Sequence, residues 1–148
     1  MNSTYLHLSL THFPIIGTFF GLIIIAFGIY LKNNSIKNTG LATFVFTALI
    51  AIPGFMTGEE ASEALKNIPN ISKELIESHE EIAEKAIWSI QILGGISLLT
   101  LYLAYKAHQK YKIACILALV LSIVTYALMM EVGRTGGKIR HTELNSPK

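Results

Sequence analysis

The stretch His7–Leu31, HLSLTHFPIIGTFFGLIIIAFGIYL, places two histidines ahead of a long apolar run without a charged residue. A soluble helix would carry charges opposite its apolar stripe, whereas the run from Phe13 to Leu31 lacks them on every side. At 1.5 Å rise per residue the run is about 28 Å long, which is enough to cross a bilayer. No charged segment precedes a cleavage site, so we expect a retained transmembrane helix rather than a signal peptide.

Three further apolar runs follow, and 51% of the 148 residues are hydrophobic while only 15% are charged. Each run is about as long as a bilayer is thick. We therefore predict an all-α fold, a single domain 1–148 in which four transmembrane helices form a bundle within a lipid bilayer. The predicted helices are Phe13–Leu31, Gly40–Met56, Ile87–Tyr105 and Ile113–Met130.

The short loops indicate an orientation. Lysines lie in both the loop between the first two helices and the loop between the last two, and neither loop contains an acidic residue. Short loops rich in lysine favour the cytoplasmic side. We therefore expect both termini on the outer side of the membrane. The loop lysines are Lys32, Lys37, Lys106, Lys110 and Lys112.

The segment 57–86 is predicted to extend the second and third helices outward as a hairpin. Asn67–Asn70 carries a turn signal, and Ser72 is a suitable N-cap for the helix that follows. His79 falls on the packed stripe of that helix. The fourth helix is expected to end near Glu131, and the glycines of the tail 131–148 would let the chain turn back over the bundle.

This topology brings four of the five histidines to the outer end, His7, His12, His79 and His141. Pro14 suits the first turn of the first helix, which would place His12 at the helix entrance. In one unbroken helix His7 and His12 would point about 140° apart, so they converge only if the chain bends near Pro14.

Two chemistries use such a set. Imidazoles and carboxylates bind transition metals such as Fe, Cu or Zn, and two histidines on different helices can ligate both faces of a haem b. His12 and His79 are the first candidates as ligands, followed by His7 and His141. Glu59 and Glu63, spaced i, i+4, are the candidate carboxylate ligands. A structural histidine is an equally good interpretation of His79 and His12, and a better one of His7 and His141.

An alternative is a non-catalytic subunit or assembly partner, with the outer rim as a structural latch or docking surface. Arg134, Lys138 and Arg140 would then pair with acids of the hairpin. The sequence shows no nucleophile–base arrangement of the kind that indicates an enzyme. Its basic residues are scattered, which argues against nucleic-acid binding. The single Cys115 is expected to be a buried structural thiol, and the first helix's glycines to pack a neighbouring helix.

The opening His-x-x-x-x-His-Phe-Pro-Ile, Gly58-Glu59, His79 and the late Gly-Gly before His141 resemble an uncharacterised family. It consists of small bacterial four-helix membrane proteins, which often open with His-Pro-x-x-x-His-Phe-Pro-Ile. This chain has Leu8 where the family usually has proline, and Glu59 near a position often occupied by aspartate.

Relatives of that family occur fused to c-type cytochrome or Rieske domains. The resemblance implies a redox neighbourhood in a bacterial inner membrane, with the termini in the periplasm and a c-type cytochrome or a quinone as partner. It also marks the histidines and Glu59 as the family-like polar set. We therefore predict electron transfer at a haem or metal bound at the outer end, in a homo-oligomer or a larger membrane complex.

Overall fold

The computed structural model describes residues 3–66 and 72–140, with side chains from Leu6 to Lys66 and from Ser72 to Ile139. In these residues the chain forms helices and no strands, which confirms the prediction of an all-α four-helix bundle. Each helix packs on the next and α1 also packs on α4, so the four form a ring. All four are long and apolar enough to cross a membrane. They are α1 (Ser3–Tyr30), α2 (Asn34–Lys66), α3 (Lys73–Tyr105) and α4 (Tyr111–Arg140).

The outer surface of the bundle is apolar, while its interior contains many small hydroxyl side chains. Phe20, Phe46 and Leu98 are more than half exposed, although a water-soluble bundle would bury them. The buried Thr18 and Thr100 instead donate their hydroxyls to carbonyls of their own helices. Such a distribution suits a hydrocarbon environment, in which small residues allow close helix packing.

Glycines set the contact between α1 and α2. A Cβ added to Gly21 would lie 2.5 Å from the Phe44 ring, and one added to Gly40 would lie 2.8 Å from the Ile25 nitrogen. Neither position has room for a larger residue. The helix-packing role expected for the glycines of the first helix is therefore confirmed.

The helix ends are capped by recognisable motifs. Ser72 is the N-cap of α3, as predicted, and its hydroxyl accepts a hydrogen bond from the Leu75 N–H. Helices α1 and α3 both end in a Schellman motif, with Lys32 (φ 54°) and Ala107 (φ 47°) in the left-handed position usually taken by glycine. The predicted turn at 67–70 lies outside the described residues.

The predicted start of the first helix is wrong. α1 begins at Ser3 and continues through Pro14, so Pro14 lies inside the helix and His12 is not at its entrance. The N-terminal turns are held because the His7 ring bonds to the Gly54 carbonyl of α2, 2.9 Å away. The small Gly54 also lets Leu10 approach α2.

The predicted end of the fourth helix is also wrong. α4 continues past Glu131 to Arg140, and no glycine of the described residues has a positive φ. The reason is packing, because Thr135 and Ile139 continue the buried face of α4 and are only 7% and 9% exposed. Residues 141–148, including His141, lie outside the described part of the chain.

Helix α2 does continue past Pro53, as predicted, and ends only at Lys66. Helix α3 starts at Lys73, well ahead of its apolar run. The facing ends of these two helices therefore carry most of the glutamates. They frame the site described next.

Candidate functional site

A cavity of about 950 Å³ lies among the four helices near the beginning of α1 and the end of α4. Ligand sites in proteins generally fall in this range of volumes. Its lining runs along α2 from Ala51 to Lys66, roughly 22 Å at 1.5 Å rise per residue.

The cavity has an apolar wall and a polar rim. The wall is built by side chains such as Ile15, Phe55 and Met129 from three different helices. Gln91 of α3 also lines it and donates its amide N–H to the Ala48 carbonyl, 2.8 Å away. The cavity reaches the surface, since exposed residues lie along it. The polar rim consists of the partly exposed Glu80 and six exposed residues, Glu59, Glu63, Lys66, Glu77, Glu81 and Glu84.

His7 of α1 lies half-buried in this cavity, against α2. Its Nδ1 is 2.9 Å from the Gly54 carbonyl oxygen, which can only accept, so Nδ1 carries the proton and donates. The ring also rests on Gly58, where an added Cβ would lie 2.9 Å from its Cε1. In the neutral ring Nε2 therefore keeps its lone pair.

His79 of α3 can take the same tautomer through a different partner. Its Nδ1 lies 2.8 Å from the Thr135 hydroxyl of α4. That hydroxyl also lies 3.0 and 3.1 Å from the Glu131 and Val132 carbonyls, which can only accept. When the hydroxyl donates its proton to these carbonyls, it accepts from the Nδ1–H of His79, and the Nε2 of His79 keeps its lone pair. Metal-bound histidines are commonly held in this way, with the far N–H donated to a protein acceptor.

The two rings lie next to each other, with centroids 6.5 Å apart and planes at 86°. Both residues lie outside the four apolar runs. Burial lowers the pKa of each imidazole below its usual value. A positive charge on His7 lowers the pKa of His79 further, whereas the negative charge of Glu80 raises it. At His7, the hydrogen bond to the Gly54 carbonyl raises the pKa and partly offsets the effect of burial. Both rings are therefore neutral at pH 7.

Ion pairs surround the site. Lys66 of α2 lies 3.1 Å from Glu80 of α3 and joins the two helices, although both side chains remain about 40% exposed. Arg134 pairs with Glu131 of its own helix. The predicted pairing of Arg134 with acids of the hairpin is therefore wrong, because the unbroken α4 places a nearer carboxylate one turn away.

The structure does not bring His12 to the histidine pair. Its ring is exposed, and its Nδ1 donates to the Leu8 carbonyl one turn earlier at 2.6 Å. It lines a separate groove between α1 and α2 with Phe20 and Phe46. The unbroken helix explains this, since it keeps His7 and His12 on different faces. Glu59 and Glu63 do line the cavity, whereas His141 is outside the described residues.

Sequence reasoning missed the residues that orient the histidines. Thr135 was not singled out, because the glycines around it indicated a turn. The spacing of Leu128, Val132, Thr135 and Ile139 is nevertheless helical, and this pattern could have placed Thr135 on the inner face of α4. The carbonyl of Gly54 carries no signal in the sequence.

Among the described side chains, no group of three or more His, Cys, Asp or Glu residues is placed to hold a metal ion. The site therefore offers two neutral imidazoles, a large cavity and a rim of carboxylates. No family model matches the chain, and no curated protein or solved structure is significantly similar to it.

Proposed function

We propose that this membrane protein binds haem b in the cavity, held by His7 and His79, and uses it for electron transfer. The observation that carries the proposal is the pair of adjacent imidazoles whose Nδ1 atoms are both hydrogen-bonded to protein groups, which leaves each Nε2 for an iron. The two ring centroids lie 6.5 Å apart, so both histidines could hold the same haem.

A haem fits the donor set better than a bare metal ion does. An ion such as Zn usually takes three or four protein ligands, whereas haem supplies four nitrogens of its own. The described residues provide two histidines at the cavity and no third donor placed with them. A Fe, Cu or Zn ion bound by these histidines and a carboxylate, such as Glu59 or Glu63, remains the alternative.

Each part of the site has a defined task in this proposal. His7 and His79 would hold the iron, and the Gly54 carbonyl and Thr135 hydroxyl keep the two rings in the ligating tautomer. The wall of Ile15, Phe55 and Met129 would exclude water from a bound ring system. Haem supplies reversible one-electron transfer, and the low dielectric of the wall would tune its potential.

The resemblance noted in the opening motif supports a redox partner, either a quinone or a c-type cytochrome. It also supports placement in a bacterial inner membrane. The loop lysines favour an orientation with the termini and the cavity on the periplasmic side. In that orientation the facing ends of α2 and α3 project from the bilayer as a hairpin, and a partner can dock on it.

The test is an absorption spectrum and metal analysis of detergent-purified protein, oxidised and then reduced. We expect a Soret band that shifts on reduction and one iron per chain. His7→Ala and His79→Ala should each lose the band, whereas His12→Ala, at the separate groove, should keep it. Full retention of the band in both cavity variants would contradict the assignment. Metal without a Soret band would favour the non-haem alternative.

A specific observation also favours a structural latch. His7 ties α1 to α2, His79 ties α3 to α4, and Lys66–Glu80 ties α2 to α3. Asparagine can place an amide N–H near the Nδ1 position but cannot ligate iron. If the latch is the whole function, His79→Asn should retain stability and partner binding, and neither it nor the wild type should show a chromophore.

A further inference from the structure

One stripe of α3 lines the cavity from its polar rim into the apolar part of the bundle. Its five residues recur at helical spacing, so they share one face of the helix. At 1.5 Å rise per residue the stripe is about 21 Å long. It begins with three carboxylates, passes a tryptophan and ends at a glutamine inside the third apolar run. The stripe is Glu77, Glu81, Glu84, Trp88 and Gln91.

The histidine pair takes up only one end of this cavity. His79 and Gln91 are about 18 Å apart along α3. A metal lies about 2 Å from a histidine that binds it, so a haem held by His7 and His79 would be centred near the rim. We call the remaining part of the cavity the deep end. It is lined by Ala51, Ile87 and Gln91, and it leaves room for a second ligand.

Gln91 gives the deep end a hydrogen-bonding group. One of its amide N–H groups donates to the Ala48 carbonyl of α2, 2.8 Å away, which fixes the side chain. Within the described residues, no side chain or backbone group donates to the Gln91 carbonyl oxygen, and this oxygen is not enclosed by protein atoms. The oxygen and the second N–H therefore remain for a ligand. An unpaired carboxamide is costly in an apolar environment, and a polar ligand would remove that cost.

The deep end is open to the bilayer. Trp88 lines the cavity and is also 65% exposed on the apolar outer surface of the bundle. An exposed tryptophan beside an apolar span marks the membrane interface. Gln91 lies one turn further in, about 4.5 Å along α3. A ligand dissolved in the bilayer can therefore reach Gln91 between α2 and α3 without passing the charged rim.

These features specify a bilayer-soluble ligand with a polar group that pairs with a carboxamide. A quinone carbonyl accepts from the N–H of Gln91, and a hydroquinone hydroxyl donates to its oxygen, so one side chain serves both redox forms. We propose that the deep end binds the head group of a membrane-soluble quinone, with Gln91 as its hydrogen-bonding partner. The inference rests on the proposed function, in which the haem requires a redox partner, and it names the quinone as that partner.

The experiment follows the fluorescence of Trp88, which is the only tryptophan of the chain and lines the cavity. The detergent-purified full chain is titrated with decylubiquinone, whose ring quenches tryptophan at close range, and we expect saturable quenching. Gln91→Leu should weaken binding about tenfold, because an oxygen of the ligand would be buried without a partner. Gln109→Leu, in the exposed α3–α4 loop, is the matched control and should bind as the wild type does.

A competition in the wild type needs no substitution in the cavity. Decylbenzene has the same tail and a six-membered ring but no oxygen, so it should not displace decylubiquinone at equal concentration. Displacement by decylbenzene would overturn the proposal, because the ligand would then be held by apolar contacts alone. Equal quenching in the wild type and in Gln91→Leu would overturn it for the same reason.

The same samples separate the quinone site from the haem. His79→Ala should lose the Soret band but retain saturable quenching, since His79 is about 18 Å from Gln91 along α3. Saturable, Gln91-dependent quenching in a wild type without a Soret band would support the quinone site and contradict the haem. A Soret band without saturable quenching would contradict the quinone site alone.

Discussion

The two ends of this bundle are filled differently. One end, the lysine end, carries the α1–α2 and α3–α4 loops with their lysines. The core toward this end contains large side chains such as Phe44, Leu41 and Ile25, all fully buried. The other end, the histidine end, carries His7 and His79. The core toward this end is built largely from alanines, including Ala48, Ala51 and Ala86. The cavity lies beside this second core, and the histidine pair lines it.

The two ends differ in the interactions that hold the helices together and in the space that is left between the helices. Close glycine contacts and a core of large, mostly aliphatic side chains fix the lysine end. At the histidine end, hydrogen bonds from two imidazoles join the helices across small residues. Empty volume lowers stability. The cavity beside the alanine-rich core therefore lowers stability unless a ligand fills it, and the difference in packing between the two ends can be measured.

The largest effect is expected from core truncation. Phe44→Ala should lower the free energy of unfolding by about 3–5 kcal/mol, because Phe44 packs on Gly21, which offers no side chain to fill the gap. Met129→Ala beside the cavity should lower it by only about 2 kcal/mol. Reversible unfolding in mixed micelles measures both. Equal losses would mean that the two ends are packed alike.

A pair of added methyl groups tests the histidine contact more finely. Gly58→Ala would place a Cβ 2.9 Å from the His7 ring and should displace it, whereas an added Cβ at Gly137 meets nothing within 4 Å. Gly137→Ala should stabilise by roughly 0.5–1 kcal/mol through helix propensity. We expect the two variants to differ by about 1–2 kcal/mol, since Gly58→Ala also loses the His7–Gly54 hydrogen bond. Identical stabilities of the two variants would show that displacing the His7 ring does not change the free energy of unfolding.

Acidification should weaken the histidine end. Burial lowers the pKa of His7 and His79 in the folded state, so protons bind first to the unfolded chain. Stability from this pair is complete above the unfolded pKa of about 6.5 and falls as pH decreases below it. Thermal unfolding at pH 7.5 and pH 5 should show the loss. In the double variant His7→Asn/His79→Asn, the loss of thermal stability between pH 7.5 and pH 5 should be smaller. If the loss is the same as in the wild type, the pH dependence comes from the glutamates.

The smallest effect concerns the lysine end alone. Ala107 occupies the left-handed position of a Schellman motif, where a Cβ is unfavourable. Ala107→Gly should therefore raise the free energy of unfolding by about 1 kcal/mol. Ala104→Gly, inside the helix, is the control and should lower it. Destabilisation by both would mean that helix propensity outweighs the relief of strain.

The fold was largely predictable because long apolar runs leave few alternatives. Ser72 was identified as a cap because its side chain acts locally. The helix ends were harder. Proline at position 14 is compatible with a first turn or with a helix interior, and only the contact of His7 with α2 decides between them. That long-range contact has no signature in the sequence.

The site was predictable in part. The stripe through Ile76 and Ala86 correctly placed His79 on the packed face of α3. The choice of His12 as its partner depended on Pro14 lying in the first turn of the helix, with His12 at the helix entrance. Pro14 instead lies inside α1, and His7 is the histidine next to His79. Glycines near Thr135 indicated a turn by propensity, but burial of Thr135 and Ile139 against the bundle keeps α4 helical.

The burial of Cys115 has a practical consequence. It is the chain's only cysteine and is 1% exposed, so a membrane-impermeant maleimide should leave the native protein unlabelled. Single cysteines introduced at Gln109 or at Ser72 then become direct reporters of sidedness in intact cells. Labelling at position 72 but not at 109 is the expected pattern. The reverse pattern would show that the bundle has the opposite orientation in its membrane.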